Sequence, residues 1–162
     1  MIMRVSKTNY YLDIAQTVAE RSTCLRRHFG AIIVKDDGIV STGYNGAARG
    51  RENCSDRGEC IRELLKIPRG ERYELCRAVH AEANAIIAAS REEMKGAVLY
   101  MTCVNPADGS LYSGTSSCSM CKRLIINSGI EKVVVRETKD EYTVYNVSDW
   151  VTSDDTDGAK GY

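Results

Sequence analysis

The first apolar residues of the chain recur at helical spacing. Tyr11, Ile14 and Val18 fall on one face of a helix, and Ala15 lies beside them. We therefore predict a helix that ends near residue 21 and that is capped by Thr8 or Asn9. A helix with a single apolar face must bury that face, so we expect it to pack against a sheet.

Two strand-like segments follow this helix. Residues 29–34 and 39–44 are rich in β-branched side chains. The sequence Lys-Asp-Asp-Gly at positions 35–38 supplies the turn residues of a hairpin. We therefore expect the two segments to pair as a β-hairpin.

Helix and strand patterns alternate in the second half of the chain. An alanine-rich run begins at Ala81 and favours a helix that ends before Gly96, and a second helix is expected over residues 118–128. Gly129 is suited to ending that helix in a left-handed conformation. Its inward-facing residues are predicted to be Leu124, Ile125 and either Met120 or Ile126. Strands are predicted at residues 97–102, at 132–135 and within 142–151, where a short helix follows, and residues 103–117 form an irregular loop.

This order of elements predicts an α/β domain over residues 1–152. Its sheet is mixed and covered by helices, with the later strands parallel through right-handed crossovers. Residues 47–76 interrupt the pattern with a polar, irregular insertion that carries Cys54, Cys60 and Pro68 and ends at Cys76. Such a long connection is usually functional or held by a ligand, so we predict an inserted zinc-binding segment. Residues 153–162 are small and polar and are predicted to be disordered.

The bulk composition restricts the classes of function. A chain of 162 residues fits one domain, and its 22 Lys and Arg balance its 22 Asp and Glu. No global positive field would therefore attract nucleic acid or an anionic membrane. No segment has the length and apolarity of a membrane span or secretory signal, and we expect a cytoplasmic protein. Seven cysteines in a reducing compartment favour metal binding over disulfides, with zinc as the first candidate.

Two short motifs carry candidate chemistry. His80-Ala81-Glu82 opens one predicted helix, and Cys118-Ser119-Met120-Cys121 opens another. The spacing of the two cysteines puts both thiolates on one face of a helical turn. One imidazole and two thiolates leave zinc an open position, which is typical of catalytic zinc. Glu82 projects into the same cleft without being a ligand, so it is predicted to carry protons.

Each motif also has a simpler interpretation. A single histidine at a helix start is more often a hydrogen-bonded cap or core residue than a metal ligand. A C-x-x-C pair can be a redox site, although thioredoxin-like folds carry it after an early strand. A non-catalytic zinc-binding module would explain the cysteines but not Glu82 beside an incomplete ligand set.

Four segments of residues 22–135 together resemble deoxycytidylate deaminases. They are STCLRRHFGAIIV, STGYNG, the HAEANAI run at 80–86 and CSMCKRLIINSGIEKVVV. H-x-E followed by P-C-x-x-C is the signature of zinc deaminases. The resemblance implies a three-layer, cytidine-deaminase-like fold with a mixed five-stranded sheet covered by helices. It also implies hydrolysis of dCMP to dUMP and ammonia, which supplies thymidylate synthesis, with Glu82 moving protons between water, a ring nitrogen and the leaving ammonia.

The resemblance extends to partners and regulation. Similar enzymes are hexamers with active sites near a subunit boundary, and many are activated by dCTP and inhibited by dTTP with Mg²⁺. Other substrates stay open: another cytosine nucleotide or nucleoside, a modified dCMP, or a tRNA adenosine. The balanced charge argues against the tRNA substrate, because nucleic-acid sites need a local excess of Lys and Arg.

The chain departs from the family pattern in two places. Ser117 stands before Cys118 where the signature has proline, and the connection from the preceding strand is longer. Proline pre-sets the first helical turn, so its replacement is expected to loosen this loop while leaving the ligands in place. The longer loop borders the cleft and bears on substrate preference.

The resemblance also suggests which residues bind the substrate. Asn45 and Gly46 of the GYNG segment and Ala81 would line the nucleotide site. Asn45 suits a sugar hydroxyl because its amide both donates and accepts hydrogen bonds. Arg26 and Arg27 are candidates for the phosphate, because guanidinium pairs with phosphate bidentately, and we favour Arg26.

Four of the remaining cysteines are candidates for a second zinc. Similar deaminases often carry one in this region, and a four-thiolate site would order an insertion that has little core of its own. The candidate ligands are Cys24, Cys54, Cys60 and Cys76. Buried packing residues are the simpler interpretation of these cysteines, and the one we assign to Cys103.

Overall fold

The computed structural model describes residues 2–154, so the tail predicted to be disordered lies almost wholly outside the described residues. The helices in this part of the chain are α1 (Lys7–Ala19), α2 (Cys54–Arg57), α3 (Ile61–Leu64), α4 (Ala81–Ile87), α5 (Arg91–Met94), α6 (Ser119–Ser128) and α7 (Val147–Thr152). The strands are β1 (His28–Lys35), β2 (Gly38–Tyr44), β3 (Gly46–Ala47), β4 (Ala78–Val79), β5 (Val98–Val104), β6 (Lys132–Arg136) and β7 (Tyr142–Asn146). Among residues 2–154, no helix is both long and apolar enough to cross a membrane.

Five of the strands form one mixed sheet in the order β2-β1-β5-β6-β7, which confirms the predicted sheet. Strands β5 and β6 are parallel, as expected, and all other neighbours are antiparallel. The expectation of parallel later strands is wrong for β7. Only residues 137–141 join it to β6, and a parallel pair needs a crossover of a dozen or more residues.

The predicted hairpin is confirmed, and it is formed by β1 and β2. The geometry of the turn between them accounts for the two aspartates at its centre. Lys35 pairs with Gly38, so the loop contains only Asp36 and Asp37. Both have positive φ, 49° and 63°, as a type I′ turn requires. The Tyr11 hydroxyl of α1 donates to a carboxylate oxygen of Asp37 at 2.5 Å, which fixes the helix against the turn.

Helices cover both faces of the sheet and give three layers. Ile32 and Val34 of β1 pack against α1 on one face. Ala31 and Ile33, which alternate with them, join the larger core on the other face, where α4 and α6 lie. A side chain on Gly43 of β2 would collide with the backbone of α4, so this glycine lets the helix lie close to the sheet.

The start of α1 differs from the sequence-based expectation. The cap is Ser6, whose hydroxyl accepts a hydrogen bond from the Asn9 amide at 3.2 Å. Thr8 is already helical, and the helix ends at Ala19. Several adjacent polar residues could each serve as a cap, and only the tertiary structure selects one of them.

Two other helices also differ from expectation. The alanine-rich run forms two helices, α4 and α5, because Ser90 and Glu93 make a capping box that starts a new one. In α6 Ile125 faces inward as predicted, but Leu124 is 41% exposed and Met120 is 37% exposed. Cys121 is fully buried and shares the inward face with Ile125, four residues further on.

Candidate active site

The two motifs lie at the starts of neighbouring helices on one face of the sheet. His80 is the N-cap of α4, and it follows β4, which pairs with β3 at the exit of the hairpin. Cys118 is the N-cap of α6, and its Sγ accepts from the Cys121 amide at 3.5 Å. Unpaired amides at a helix start favour negative charge, so this position suits a thiolate.

His80, Cys118 and Cys121 converge on one point. Both sulfur atoms lie 3.5 Å from His80 Nδ1, and all three ligand atoms are within 4.8 Å of one another. Tetrahedral zinc with bonds of about 2.3 Å to sulfur and about 2.0 Å to nitrogen needs a sulfur–nitrogen separation of about 3.5 Å. The donor set therefore fits zinc, and within residues 2–154 it is the one group of three such ligands.

The electrostatics of this group favour a cation. Burial opposes a charged imidazole, yet hydrogen bonding to Cys118 and Cys76 raises the pKa of His80 to about 10. A hydrogen bond from the Cys121 thiol lowers the pKa of Cys118 to about 4, and the same interaction with burial raises that of Cys121. A cluster that stabilises positive charge on its own histidine also stabilises a divalent ion.

Glu82 lies beside the ligands and lines the same pocket. Its side chain is only 4% exposed, and burial raises the pKa of its carboxyl. The backbone amide of Glu82 and the His80 imidazole partly offset that rise. A buried carboxyl with a raised pKa next to a metal-binding set is suited to taking up and releasing a proton.

Four arginines line this pocket together with Glu82 and His80. They are Arg26, Arg27, Arg62 and Arg69. The Arg26 Nε is 3.0 Å from a carboxylate oxygen of Glu63, and the Arg27 guanidinium lies 4.4 Å from the centre of the Tyr112 ring. The site is thus locally basic in a chain of zero net charge.

The sequence did not predict that Arg62 and Tyr73 of the insertion contribute to this site. Arg62 is 5% exposed and donates to the carbonyls of Pro68 at 2.9 Å and Glu71 at 2.7 Å. Its guanidinium lies 4.4 Å from the Tyr73 ring centre, and that ring meets His80 edge-on at 5.0 Å. An arginine in a charged segment is expected to be solvated, so nothing in the sequence indicated this role.

Asn45 lies at the pocket wall, where its side chain already makes hydrogen bonds within the protein. Its Oδ1 accepts from the Ser22 hydroxyl at 2.6 Å and from the Phe29 amide at 2.8 Å. Its Nδ2 donates to the Arg27 carbonyl at 2.9 Å. This leaves one amide hydrogen with which a ligand could interact.

Gly46 and Ala81, the other residues suggested for the nucleotide, do not line the pocket. Ala81 is completely buried at the first position of α4. A side chain on Gly46 would approach Thr23 Oγ1 to 2.9 Å. Both residues therefore shape the backbone next to the pocket wall.

The four cysteines suggested for a second zinc lie near one another without converging. Cys24, Cys60 and Cys76 line the pocket, and Cys54 is buried beside it at the start of α2. Burial raises the pKa of Cys54, and the other three thiols add to that rise. Within the described residues, however, no three of them bring their sulfur atoms within 4.8 Å of one another. Cys103 is fully buried in β5, and burial raises its pKa to about 12.

The loop before Cys118 is shorter than expected and is anchored to the domain. Strand β5 continues to Val104, which also bridges to Leu111. The Gly114 amide donates to a Glu137 carboxylate oxygen at 2.6 Å. These contacts hold the following residues against the pocket, where Thr115 forms part of the wall.

A mixed five-stranded sheet with H-x-E and C-x-x-C at the starts of two adjacent helices defines the zinc deaminases as a class. Comparison with known proteins agrees with that assignment. The family model described as "Cytidine and deoxycytidylate deaminase zinc-binding region" matches residues 5–137, and the chain belongs to this family.

Individual relatives are similar over most of this chain. The deoxycytidylate deaminase of Mycobacterium phage D29 is 42% identical over an alignment 130 residues long, which covers 77% of this chain and 90% of the relative. That of Schizosaccharomyces pombe is 31% identical over 93% of this chain, but the match spans only 41% of the relative. The chain thus covers nearly all of one relative and less than half of the other.

Solved structures agree on the fold. The dCMP deaminase of cyanophage S-TIM5, solved in complex with dCMP and dUMP, is 26% identical with a TM-score of 0.58, and the match covers 85% of each chain. The cytidine deaminase of Burkholderia pseudomallei is 17% identical with a TM-score of 0.55, covering 90% of this chain and 95% of that one. The predicted cytidine-deaminase-like architecture is confirmed.

Proposed function

We propose that this chain is a zinc-dependent hydrolase that converts dCMP and water to dUMP and ammonia. The observation that carries the proposal is a buried carboxyl, Glu82, beside a converged His-Cys-Cys set in a pocket lined by four arginines. Support also comes from relatives named deoxycytidylate deaminase and from a structural neighbour that binds dCMP and dUMP. The dUMP formed would feed thymidylate synthesis in the cytoplasm.

His80, Cys118 and Cys121 would hold the zinc, which when bound acidifies water so that it can attack at neutral pH. Glu82 accepts a proton from the attacking water and passes it to the ring nitrogen next to the amino-bearing carbon. Glu82 then assists transfer of a proton to the amino group, which leaves as ammonia while the ring keeps the oxygen. Burial of Glu82 supports this role, because it raises the pKa of the carboxyl above its usual range and so favours uptake of a proton.

The arginine group supports a substrate with a phosphate. Guanidinium groups bind phosphate through two parallel hydrogen bonds, and a locally basic pocket offsets the lack of a global positive field. We propose that Arg26 contacts the phosphate with help from Arg27, Arg62 or Arg69. A phosphate at Arg26 would compete with Glu63 for its Nε. Asn45 would offer its remaining amide hydrogen to the sugar.

Ammonia release from a panel of dCMP, CMP, deoxycytidine and dCTP tests this function. We expect the highest kcat/KM for dCMP, with deoxycytidine at least about tenfold lower because it cannot use the arginines. Equal values for dCMP and deoxycytidine would contradict a phosphate site. No ammonia from any compound, by protein that contains zinc, would support a non-catalytic zinc-binding module instead.

We further propose that residues 47–76 form an inserted segment held by a second zinc on Cys24, Cys54, Cys60 and Cys76. Pairing of β3 with β4 closes the base of this segment, and its two α-helices, α2 and α3, have four residues each, too short to build a core. The electrostatic coupling of Cys54 to the other three thiols supports a shared ligand. Zinc would then supply the order that packing does not.

Assembly and regulation are carried over from the family as proposals. We propose a homo-oligomer, most simply a hexamer, and the exposed apolar side chains of Ile87, Met120 and Leu124 supply surface for subunit contacts. Light scattering tests this, and a stable, active monomer would contradict it. Activation by dCTP and inhibition by dTTP with Mg²⁺ are tested by adding each effector to the dCMP assay.

A further inference from the structure

Arg62 brings a positive charge into the interior of the domain without an acid to balance it. The side chain is only 5% exposed, yet within residues 2–154 it makes no ion pair. One other arginine of the described chain is buried, Arg136, and it pairs with Asp13 at 2.8 Å. A buried charge is costly unless a charge of opposite sign accompanies it. The missing counter-charge of Arg62 therefore points to an anionic ligand.

The contacts of Arg62 hold its guanidinium in place and leave a donor unused. Nη2 donates to the carbonyls of Pro68 at 2.9 Å and Glu71 at 2.7 Å, and the Tyr73 ring centre lies 4.4 Å from the guanidinium carbon. Nε is buried and has no hydrogen-bond partner in the part of the chain that the structure describes. Carbonyls and an aromatic ring are neutral, so they fix the side chain without cancelling its charge.

Burial distinguishes Arg62 from the other three arginines that line the pocket. Arg26 has 36% of its side chain exposed, and a Glu63 carboxylate oxygen 3.0 Å away already balances its charge. Arg69 is exposed and Arg27 is half-buried. Water screens an exposed charge, whereas a buried charge acts on a ligand at greater strength. Arg62 therefore gains most from an anion bound in this pocket.

The position of Arg62 relative to His80 suits a nucleotide. The Tyr73 ring lies under the guanidinium and meets the His80 ring edge-on at 5.0 Å between ring centres. One aromatic ring thus separates Arg62 from a proposed zinc ligand. In dCMP the deoxyribose separates the phosphate from the reacting base in a comparable way. A phosphate at Arg62 would leave the base beside His80 and Glu82, which line the same pocket.

We propose that Arg62 is the residue that makes this pocket select a nucleotide over a nucleoside. Its guanidinium binds the phosphate of the substrate, which supplies the missing counter-charge, and Arg26 assists from the exposed side. A nucleoside lacks that charge and leaves Arg62 unbalanced. This inference rests on the proposed function, and it identifies which arginine of the pocket decides that the substrate carries a phosphate.

Arg62→Met tests the inference in the full-length, zinc-loaded protein, because methionine fills similar space without a charge. We expect kcat/KM for dCMP to fall about tenfold to a hundredfold, mainly through KM, because a charged hydrogen bond to the phosphate is lost. For deoxycytidine we expect a change of less than about threefold. The matched control is Arg57→Met in the same insertion, since Arg57 pairs with Glu52 at 2.9 Å and lies outside this pocket. It should shift neither substrate by more than about twofold.

The two substrates separate a role in binding from a role in structure. Equal losses for dCMP and deoxycytidine would show that Arg62 only supports the insertion, and would overturn the inference. So would a preference for dCMP within twofold of that of the parent. Loss of a zinc ion from Arg62→Met, with the preference for dCMP kept, would assign the charge to the cysteines of the insertion instead.

A crystal structure of the parent protein with dUMP tests the contact without a variant. We expect a phosphate oxygen within about 3.2 Å of a guanidinium nitrogen of Arg62. A phosphate bound away from Arg62 would overturn the inference even if Arg62→Met failed to fold. If dUMP binds through Arg62 but the parent releases no ammonia from dCMP, the proposed reaction is wrong and the inference about Arg62 stands.

Discussion

Two regions of this molecule carry cysteines suited to a metal, and they differ in how far the fold has assembled them. At the starts of α4 and α6, His80, Cys118 and Cys121 bring their ligand atoms within 4.8 Å of one another. The thiols of Cys24, Cys60 and Cys76 add to the raised pKa of Cys54, but the four thiols do not converge in this way. We call His80, Cys118 and Cys121 the assembled set, because the fold itself brings their ligand atoms together. The other four cysteines are the gathered set, because the fold brings them near one another but not to ligand distances.

The difference follows from what supports each set. The H-x-E and C-x-x-C motifs both begin helices that pack on the sheet, so the core that buries Ala85 and Ile125 also fixes the proposed ligands. The insertion has only short helices, and Arg62 organises part of it through backbone carbonyls and Tyr73. Ligands on regular elements are pre-organised, whereas ligands on loops depend on the metal for their final geometry.

Loss of a ligand from the assembled set should have the largest effect. We expect Cys121→Ser to remove the catalytic zinc and to lower turnover of dCMP by at least about a thousandfold, because the nucleophile is no longer activated. Elemental analysis and the ammonia assay check this, with Cys103→Ala as the matched control, since Cys103 is equally buried but lies outside the ligand set. An active Cys121→Ser protein with full zinc would remove Cys121 from the site.

Loss of a ligand from the gathered set should have a smaller, indirect effect. We expect Cys54→Ser to remove one of two zinc ions, to lower the melting temperature and to reduce kcat about tenfold while the catalytic zinc stays bound. Zinc stoichiometry and thermal unfolding measure these changes. One zinc per chain in the parent protein, with all four of these thiols freely alkylated in the folded state, would show that the second site does not exist.

The sequence predicted the assembled set far better than the gathered one. H-x-E and C-x-x-C are local motifs, and each needs only one helix start to orient its ligands. The approach of α4 to α6 followed from the alternating pattern of helices and strands, which also predicted the sheet apart from the direction of β7. The long insertion has no periodicity, so neither the burial of Arg62 nor the contact between Tyr73 and His80 was predictable.

Side-chain orientation within the elements was also only partly predictable. Leu124 is more hydrophobic than Cys121, yet Cys121 faces inward and Leu124 is 41% exposed. Apolar periodicity therefore placed Ile125 on the buried face of α6 correctly but put Leu124 there as well, and it did not single out Cys121. Such departures from a hydrophobic pattern occur where a site imposes its own geometry.

Loss of the contact between the insertion and the His80 motif should have the smallest effect on activity. Tyr73 lies between Arg62 and His80. We expect Tyr73→Ala to lower kcat/KM about threefold to tenfold, because the insertion would no longer contact the His80 ring. Tyr73→Phe keeps the ring and should stay within about twofold of the parent. Steady-state kinetics with dCMP compare the two variants, and equal losses in both would assign the effect to the hydroxyl group.

Zinc content and dCMP turnover, measured on one preparation of Glu82→Gln, test the assigned chemistry most directly. The amide fills the same space but cannot take up the proton, so we expect the zinc content of the parent with kcat lowered by about a hundredfold to ten-thousandfold. Retained zinc together with lost turnover would separate the proton carrier from the metal ligands. Activity within tenfold of the parent would contradict the role of Glu82 and, with it, the proposed mechanism.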